Sequence, residues 1–237
     1  MEKKTGNWFL IGDIHGDAVP IHVFYEKNRE KLSADPEENH LILLGDFGAN
    51  YALTGQRDYR LKKTLSEYPF TYIALRGNHE ARVKTVKDKF PQQWEVISKY
   101  GGQIYREKEF PQIEYLSDEP AVYEFCGYKT FSIPGAYSVD KWYRLRNGWP
   151  WYEDEQLSEE ERDLGREIKR REKSFDLVIS HTCPISYEPR DLFLPGINQS
   201  LVDDTMERYL GELEYDLDYK RWAWGHFHAD RLYPWMK

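Results

Sequence analysis

The sequence predicts an α/β fold. Short apolar runs alternate with longer polar, helix-like stretches along the whole chain. Nearly every apolar run is followed at once by Gly or Ser and then by Asp, Asn or His. No internal repeat, low-complexity tract or linker breaks the order, so residues 1–237 are read as a single domain, an ordinary size for an α/β unit.

The first expected strand is Trp8-Phe9-Leu10-Ile11, followed by Leu41-Ile42-Leu43-Leu44 and Tyr72-Ile73-Ala74-Leu75. Later runs are Ala121–Phe125, Lys129–Ile133, Leu177–Ile179 and Trp222–Trp224. Each has the length of a buried strand. Between them, helices are expected over Ala18–Lys31, Arg57–Ser66, Gln92–Lys99, Asp154–Lys173 and Leu201–Leu210. Ser158 and Glu161 have the form of a capping box within the fourth helix, whose charge density assigns it to the surface. Phe125-Cys126-Gly127-Tyr128 reads as a hairpin turn.

A net charge of −8 argues against a protein that grips nucleic acid through many phosphates. The basic run Lys169-Arg170-Arg171 with Lys173 is interleaved with Glu and reads as a solvated helix face. Two cysteines, Cys126 and Cys183, make no disulfide framework and are expected as buried thiols. No apolar run reaches membrane-spanning length. Met1–Gly6 leads into the first strand without a signal peptide, so a cytoplasmic location is expected.

The chemistry sits after the strands, at Gly12-Asp13-Ile14-His15, Gly45-Asp46, Gly77-Asn78-His79, Ser180-His181 and Gly225-His226-Phe227-His228. In open α/β sheets ligands gather outside the carboxyl ends of strands, so these blocks can converge in space. Glycine ahead of each ligand is expected to permit a tight turn and close backbone approach. Two carboxylates, an amide oxygen and imidazoles suit Mn, Fe, Zn, Ni or Co better than Ca or Mg, and thiolates are absent from the set. His22 and His40 match no block and are read as structural.

Gly12-Asp13-Ile14-His15-Gly16, Gly45-Asp46, Gly77-Asn78-His79-Glu80, the lone His181 and Gly225-His226-Phe227-His228 resemble, in order and over nearly the whole chain, the calcineurin-like metallophosphoesterases. The resemblance implies a four-layer αββα fold, a β-sandwich flanked by helices. It implies Asp13, His15 and His228 on one divalent ion, Asn78, His181 and His226 on a second, and Asp46 bridging them. It implies hydrolysis of a phosphate ester by a hydroxide bridging the two ions, Mn first among the candidates, with His79 protonating the leaving oxygen. The expected substrate is a phosphorylated small molecule, a nucleotide or a phosphoprotein.

Arg76 before Gly-Asn-His-Glu is similar to the Ser/Thr protein phosphatase branch, whereas the Asp-Arg pair expected after the second block is replaced by Ala49 and Asn50. The segments Pro134–Arg144 and Ser180–Pro184 look more like a bacterial and bacteriophage subgroup. Arg144 and Lys141 are read as replacements for the lost phosphate clamp, with a plain surface role as the alternative. Tyr137, Asn50 and Arg76 are further expected substrate contacts. Glu80 and Asp140 are the expected orienting partners of His79. The Trp-rich stretch Trp142–Trp151 is read as packing around the mouth of the site. The rival functions are a nuclease or cyclic-nucleotide phosphodiesterase of the same fold, and a non-catalytic interaction scaffold. A basic groove would mark the nuclease and missing ligands the scaffold; neither is seen.

Overall fold

The computed structural model describes residues 6–53, 56–193 and 195–233; Met1–Thr5, read above for a leader, lie outside them. In chain order the elements are β1 (Asn7–Ile11), α1 (Val19–Asn28), β2 (Asn39–Leu43), α2 (Gln56–Leu65), β3 (Thr71–Ala74), α3 (Val83–Lys89), β4 (Trp94–Lys99), β5 (Gly102–Glu107) and β6 (Ile113–Tyr115). The second half contributes β7 (Ala121–Phe125), β8 (Tyr128–Ile133), α4 (Lys141–Arg146), α5 (Glu159–Glu172), β9 (Ser174–Ser180), α6 (Thr205–Glu214) and β10 (Asp218–Ala223). They form a six-stranded sheet ordered β1-β2-β3-β6-β5-β4 and a four-stranded sheet ordered β10-β9-β8-β7.

Strand alternation builds the layers. Leu41 and Leu43 of β2 face outward onto Ile21 of α1 and Leu61 and Leu65 of α2. Their neighbours Ile42 and Leu44 face inward and meet Ile73, Tyr123, Phe125 and Ile179 in a core between the sheets. On the far side Phe131, Ile133 and Val178 turn outward onto Ile168 of α5 and Met206, Leu210 and Leu213 of α6. A period of two in side-chain direction thus gives each central strand two buried faces, which is why these runs are continuously apolar. The result is the expected helix–sheet–sheet–helix stack.

The stretch expected as a helix over Gln92–Lys99 is instead strand β4. Tyr100 and Gly101 both adopt positive φ, 56° and 79°, and Lys99 faces Gly102 across the pair. Two consecutive left-handed residues make a tight hairpin turn, and Val96-Ile97 favour a pleated surface, so local turn chemistry overrode the helical pattern. Phe125–Tyr128 closes the second hairpin as expected, with Cys126 at φ 52° and Gly127 at φ 79°. Cys126 is therefore only partly buried at a turn, whereas Cys183 is buried. The capping box sits at the start of α5 rather than inside it: Glu161 N–H donates to Ser158 Oγ at 3.3 Å, and Ser158 N–H donates to the Glu161 carboxylate at 2.8 Å. His40 stacks on Trp8 at 3.9 Å and His22 meets the Tyr68 hydroxyl at 3.2 Å, both away from the chemistry. Among the described residues no helix is long and apolar enough to cross a membrane.

Candidate metal centre

Parallel pairing brings the blocks to one edge. Ile11 lies level with Leu43, and Leu43 with Ala74, so Asp13, Asp46 and Asn78 leave the first sheet on the same side. In the second sheet Ile179 lies opposite Ala223, which sends His181, His226 and His228 out together. Main-chain bonds lock neighbouring loops: His15 N–H donates to the Asp46 carbonyl at 2.8 Å and Gly225 N–H to the His181 carbonyl at 3.0 Å. Side chains join the two sheets, because His226 N–H donates to Asp13 Oδ1 at 2.9 Å.

The side chains gather in overlapping clusters. Asp13 Oδ2 lies 3.2 Å from His228 Nε2 and 3.9 Å from His15 Nε2, and those two imidazole nitrogens are 2.9 Å apart. Asn78 Oδ1 lies 2.8 Å from His181 Nε2 and 3.1 Å from His226 Nδ1. Asp46 stands between the groups, with Oδ1 3.4 Å from His181 Nε2 and Oδ2 3.8 Å from His15 Nε2 and 4.0 Å from His79 Nε2. The donor atoms of Asp13, His15 and His228, of His15, Asp46 and His79, and of Asp46, His181 and His226 each lie within 4.8 Å of one another.

The backbone is held in costly conformations here. His15, Asp46, His226 and His228 have φ of 47°, 49°, 69° and 50°. A non-glycine residue in this region is strained, and such strain concentrates where a side chain must be aimed. The glycines serve a purpose beyond turning. Of those preceding ligands, Gly45 has positive φ, while Gly77 and Gly225 do not. A Cβ on Gly45 would lie 2.0 Å from His181 Nδ1, one on Gly77 2.0 Å from Asp46 Oδ1, and one on Gly225 2.3 Å from Asp13 Oδ1. Each glycine is thus the seat for a ligand from a different block. Gly12 has nothing within 4 Å of such a Cβ.

Outer contacts orient the donors. His181 Nδ1 lies 2.7 Å from the Leu44 carbonyl, so Nδ1 carries a proton and Nε2 faces the cluster. The Asn78 amide nitrogen donates to Ser138 Oγ at 2.8 Å, which aims Oδ1 at the imidazoles. Ser138 Oγ in turn donates to Glu155 at 2.5 Å and accepts from Arg144 Nη1 at 3.0 Å. Glu80 accepts the Gly48 N–H at 2.7 Å and the Gly77 N–H at 3.1 Å, tying the second block to the third. Burial, with Asp46 nearby, pushes the Glu80 carboxyl up to about 7.

The electrostatics call for cations. Burial alone would raise Asp46, yet the charge and hydrogen bond of His181, with His79 and His15, hold it far below the carboxylate range. Asp13 is likewise lowered, its burial outweighed by His228 and then His181. Burial opposes protonation of His181, but Asp46 and Asp13 carry that imidazole up to about 9. His226 is pushed down to about 3 by burial and then by His181. The contact with Asp13 raises His228. Two ionised, buried carboxylates therefore pull positive charge into the cluster. Asp13 Oδ2 is buried without a hydrogen-bond partner, and the His15 and His228 nitrogens repel unless a proton or cation lies between them. This donor set fits divalent cations bound through oxygen and nitrogen.

The sequence profile of the calcineurin-like phosphoesterases matches residues 9–230. The chain belongs to that family. Metal-dependent hydrolysis of phosphate esters is the chemistry the family name carries. No curated protein matches the sequence. Among solved structures, AQ665 of Aquifex aeolicus, described as a protein of unknown function, is similar over 90% of this chain and 89% of its own, at 16% identity and a TM-score of 0.38.

Beside the cluster, this calcineurin-like phosphoesterase has a cavity of about 470 Å³. His15 and His79 form its inner wall; Tyr51, Arg57, Asp140, Arg144, Trp149 and Pro150 form much of the rest. Of the two orienting partners expected for His79, Asp140 faces it, Oδ1 lying 3.8 Å from Nε2, while Glu80 is turned into the loops. Burial lowers His79, and Asp46 and Asp140 partly offset this. Arg144, read from the sequence as a phosphate clamp or a surface residue, lines the cavity and is buried rather than on the surface. Lys141 instead stacks over Trp151 at 3.9 Å, and neither it nor the half-buried Tyr137 lies on the cavity wall. Asn50 and Arg76, expected against substrate, serve the scaffold. Asn50 accepts a hydrogen bond from Lys62 at 3.2 Å, and buried Arg76 donates to the Glu155 carbonyl at 2.7 Å and pairs with Asp118 at 3.4 Å. Arg57, Tyr51 and Ser138 carry no motif signal; only the fold brings them to the site.

Proposed function

We propose that the chain hydrolyses a phosphate ester in the cavity beside His79, with two divalent cations as cofactors. Asp13, His15 and His228 would hold one, Asn78, His181 and His226 the other, and Asp46 both. The observation that carries this reading is the two-sided placement of Asp46, one oxygen 3.4 Å from His181 and the other 3.8 Å from His15. A carboxylate serving a single ion has no need to face both groups. Mn is the first candidate for this donor set, with Fe, Zn, Ni and Co as alternatives. Such ions supply a nucleophile at neutral pH and neutralise phosphoryl oxygens.

The chain's own residues supply the rest. His79 stands at the junction of cluster and cavity and delivers a proton to the leaving oxygen. Asp140 holds the imidazole toward the cavity and counters the burial that disfavours its charged form. Trp149 and Pro150 form an apolar part of one wall. The substrates this accommodates are phosphorylated small molecules, nucleotides and phosphoproteins.

The test is a substrate panel on protein stripped by chelator and reloaded with Mn²⁺. It comprises a chromogenic monoester, a chromogenic diester, cyclic nucleotides, phosphopeptides and short DNA. Hydrolysis that returns with metal is the expected result. Silence toward every ester with Mn, Fe, Zn, Ni and Co alike would overturn the assignment.

A further inference from the structure

The cavity wall carries more positive charge than its carboxylates neutralise. Arg57 and Arg144 flank the Tyr51 ring, their guanidinium carbons 4.9 Å and 5.8 Å from its centroid. An electron-rich ring face attracts a guanidinium, so Tyr51 holds both heads at the cavity. Among the described residues Arg57 makes one hydrogen bond, from Nη2 to the His15 carbonyl at 3.4 Å, and no carboxylate lies within ion-pair distance of it, although buried Asp58 feels its charge. Arg144 is fully buried; its Nε and Nη2 donate to the Pro150 carbonyl and its Nη1 to Ser138 Oγ at 3.0 Å, so it lends the wall its charge while Arg57 holds the free fork. The nearest acid is Asp140, 3.9 Å away and shared with His79. On the cavity wall itself two guanidiniums thus face one carboxylate, Asp140, while Asp58 and Glu155 act on them from behind the wall.

We propose, resting on the phosphoester assignment, that Arg57 with Arg144 makes this site selective for monoesters over diesters. A phosphate monoester carries close to two negative charges at neutral pH and offers three terminal oxygens. A diester carries one charge and offers two such oxygens. Once the cluster side of the site engages two oxygens, a monoester still presents a third, charged oxygen to the Arg57 fork, with the buried Arg144 charge behind it; a diester presents an ester group there. A planar fork of N–H donors suits that extra oxygen, and a neutral ester group leaves the fork unsatisfied. The cavity of about 470 Å³ has room for either ester, so charge rather than volume discriminates. Arg57 selects, and Tyr51 is a positioning residue acting through it.

The experiment compares p-nitrophenyl phosphate with bis(p-nitrophenyl) phosphate on the Mn²⁺-loaded protein, wild type and Arg57→Ala. Arg57 is exposed, so its removal does not threaten folding as loss of buried Arg144 would. The wild type should favour the monoester at least about tenfold in kcat/KM. Arg57→Ala should lower the monoester value roughly 10–100-fold, the usual cost of a charge-assisted hydrogen bond, and bring the two esters closer together. Arg57→Lys, which keeps the charge but not the fork, should recover part of the loss. A readout without turnover is calorimetry: inorganic phosphate should bind more tightly than dimethyl phosphate, and Arg57→Ala should erase the margin. Diester preference in the wild type, or an unchanged ratio in Arg57→Ala, overturns the inference and leaves the hydrolase assignment standing. If neither ester is cleaved, the hydrolase assignment passes to the full panel of esters and metals and calorimetry decides the subsite alone: equal affinity for the two anions overturns it, and a margin erased in Arg57→Ala supports it.

Discussion

Substituting Gly77 by alanine adds one methyl group and replaces no metal donor, yet it should disable the centre. The added carbon would lie 2.0 Å from Asp46 Oδ1, 2.8 Å from Asp46 Cγ and 2.4 Å from Asp46 N. A carbon and an oxygen in van der Waals contact need about 3.2 Å or more, so the carboxylate must retreat by roughly 1.2 Å. The clash with Asp46 N means that rotating the side chain cannot relieve it; the loop itself must shift. Asp46 Oδ1 would also lose the His79 N–H at 2.9 Å, a bond to a charged acceptor that contributes about 1.5–3 kcal/mol. Displacement of a catalytic group by about 1 Å commonly costs about a hundredfold in rate. The expected outcome for Gly77→Ala is native-like circular dichroism, weakened loading of both cations, and at least about a hundredfold loss of esterase activity. Gly12→Ala is the matched control: it also precedes a ligand, but its Cβ would meet nothing within 4 Å, and activity should be retained. Metal content by mass spectrometry and chromogenic ester turnover give the readout. Wild-type metal affinity in Gly77→Ala would refute the reasoning, as would equal damage from Gly12→Ala.

Ser138→Ala removes the acceptor of the Asn78 amide and strands Arg144 Nη1, and should weaken metal binding about 10–100-fold at the Asn78 side more than at the Asp13 side, seen as two unequal steps in a Mn²⁺ titration. Asp140→Asn removes a charge that raises His79, so metal should stay bound, kcat should fall about tenfold, and the alkaline limb of its pH profile should move to lower pH. Glu207 accepts from Thr182 Oγ1 at 2.6 Å, and burial pushes its carboxyl up from 4.5 to about 7. Between those values the unfolded chain has already released the proton that the folded chain keeps, so stability falls as pH rises through this window, by roughly 3 kcal/mol in all. Glu207→Gln should flatten that slope and be the more stable protein at pH 8, as urea unfolding at pH 5 and pH 8 would show; an unchanged slope would exclude Glu207 as its source.

The strands that carry the ligands were legible because they are short apolar runs, the central ones buried on both faces, that end in the same small-residue-then-ligand form. Trp8–Ile11, Leu41–Leu44 and Tyr72–Leu75 show this, and the register Ile11, Leu43, Ala74 then brings their blocks level. Gln92–Lys99 was misread because its polar and apolar residues suit a helix locally, and the deciding feature was the left-handed pair Tyr100-Gly101 after it. Strand β5 is the return of that hairpin and was invisible with it, and β6, three residues beside β3, is too short to show a pattern. The role of Gly77 and Gly225 was half legible: glycine is needed, but for the carboxylate packed against it rather than for a turn. Arg57, Tyr51 and Ser138 lie outside every block, and their places are set by packing across long sequence separations. Arg76 shows the converse, since its motif position suggests a substrate contact and burial makes it a clamp between loops.

The two-sided role of Asp46 is tested most directly by counting cations. Protein stripped with chelator and reloaded with Mn²⁺ should retain two equivalents by inductively coupled plasma mass spectrometry, and Asp46→Asn should lose affinity for both together. A single equivalent in the wild type, or two tightly held equivalents in Asp46→Asn, would contradict the account.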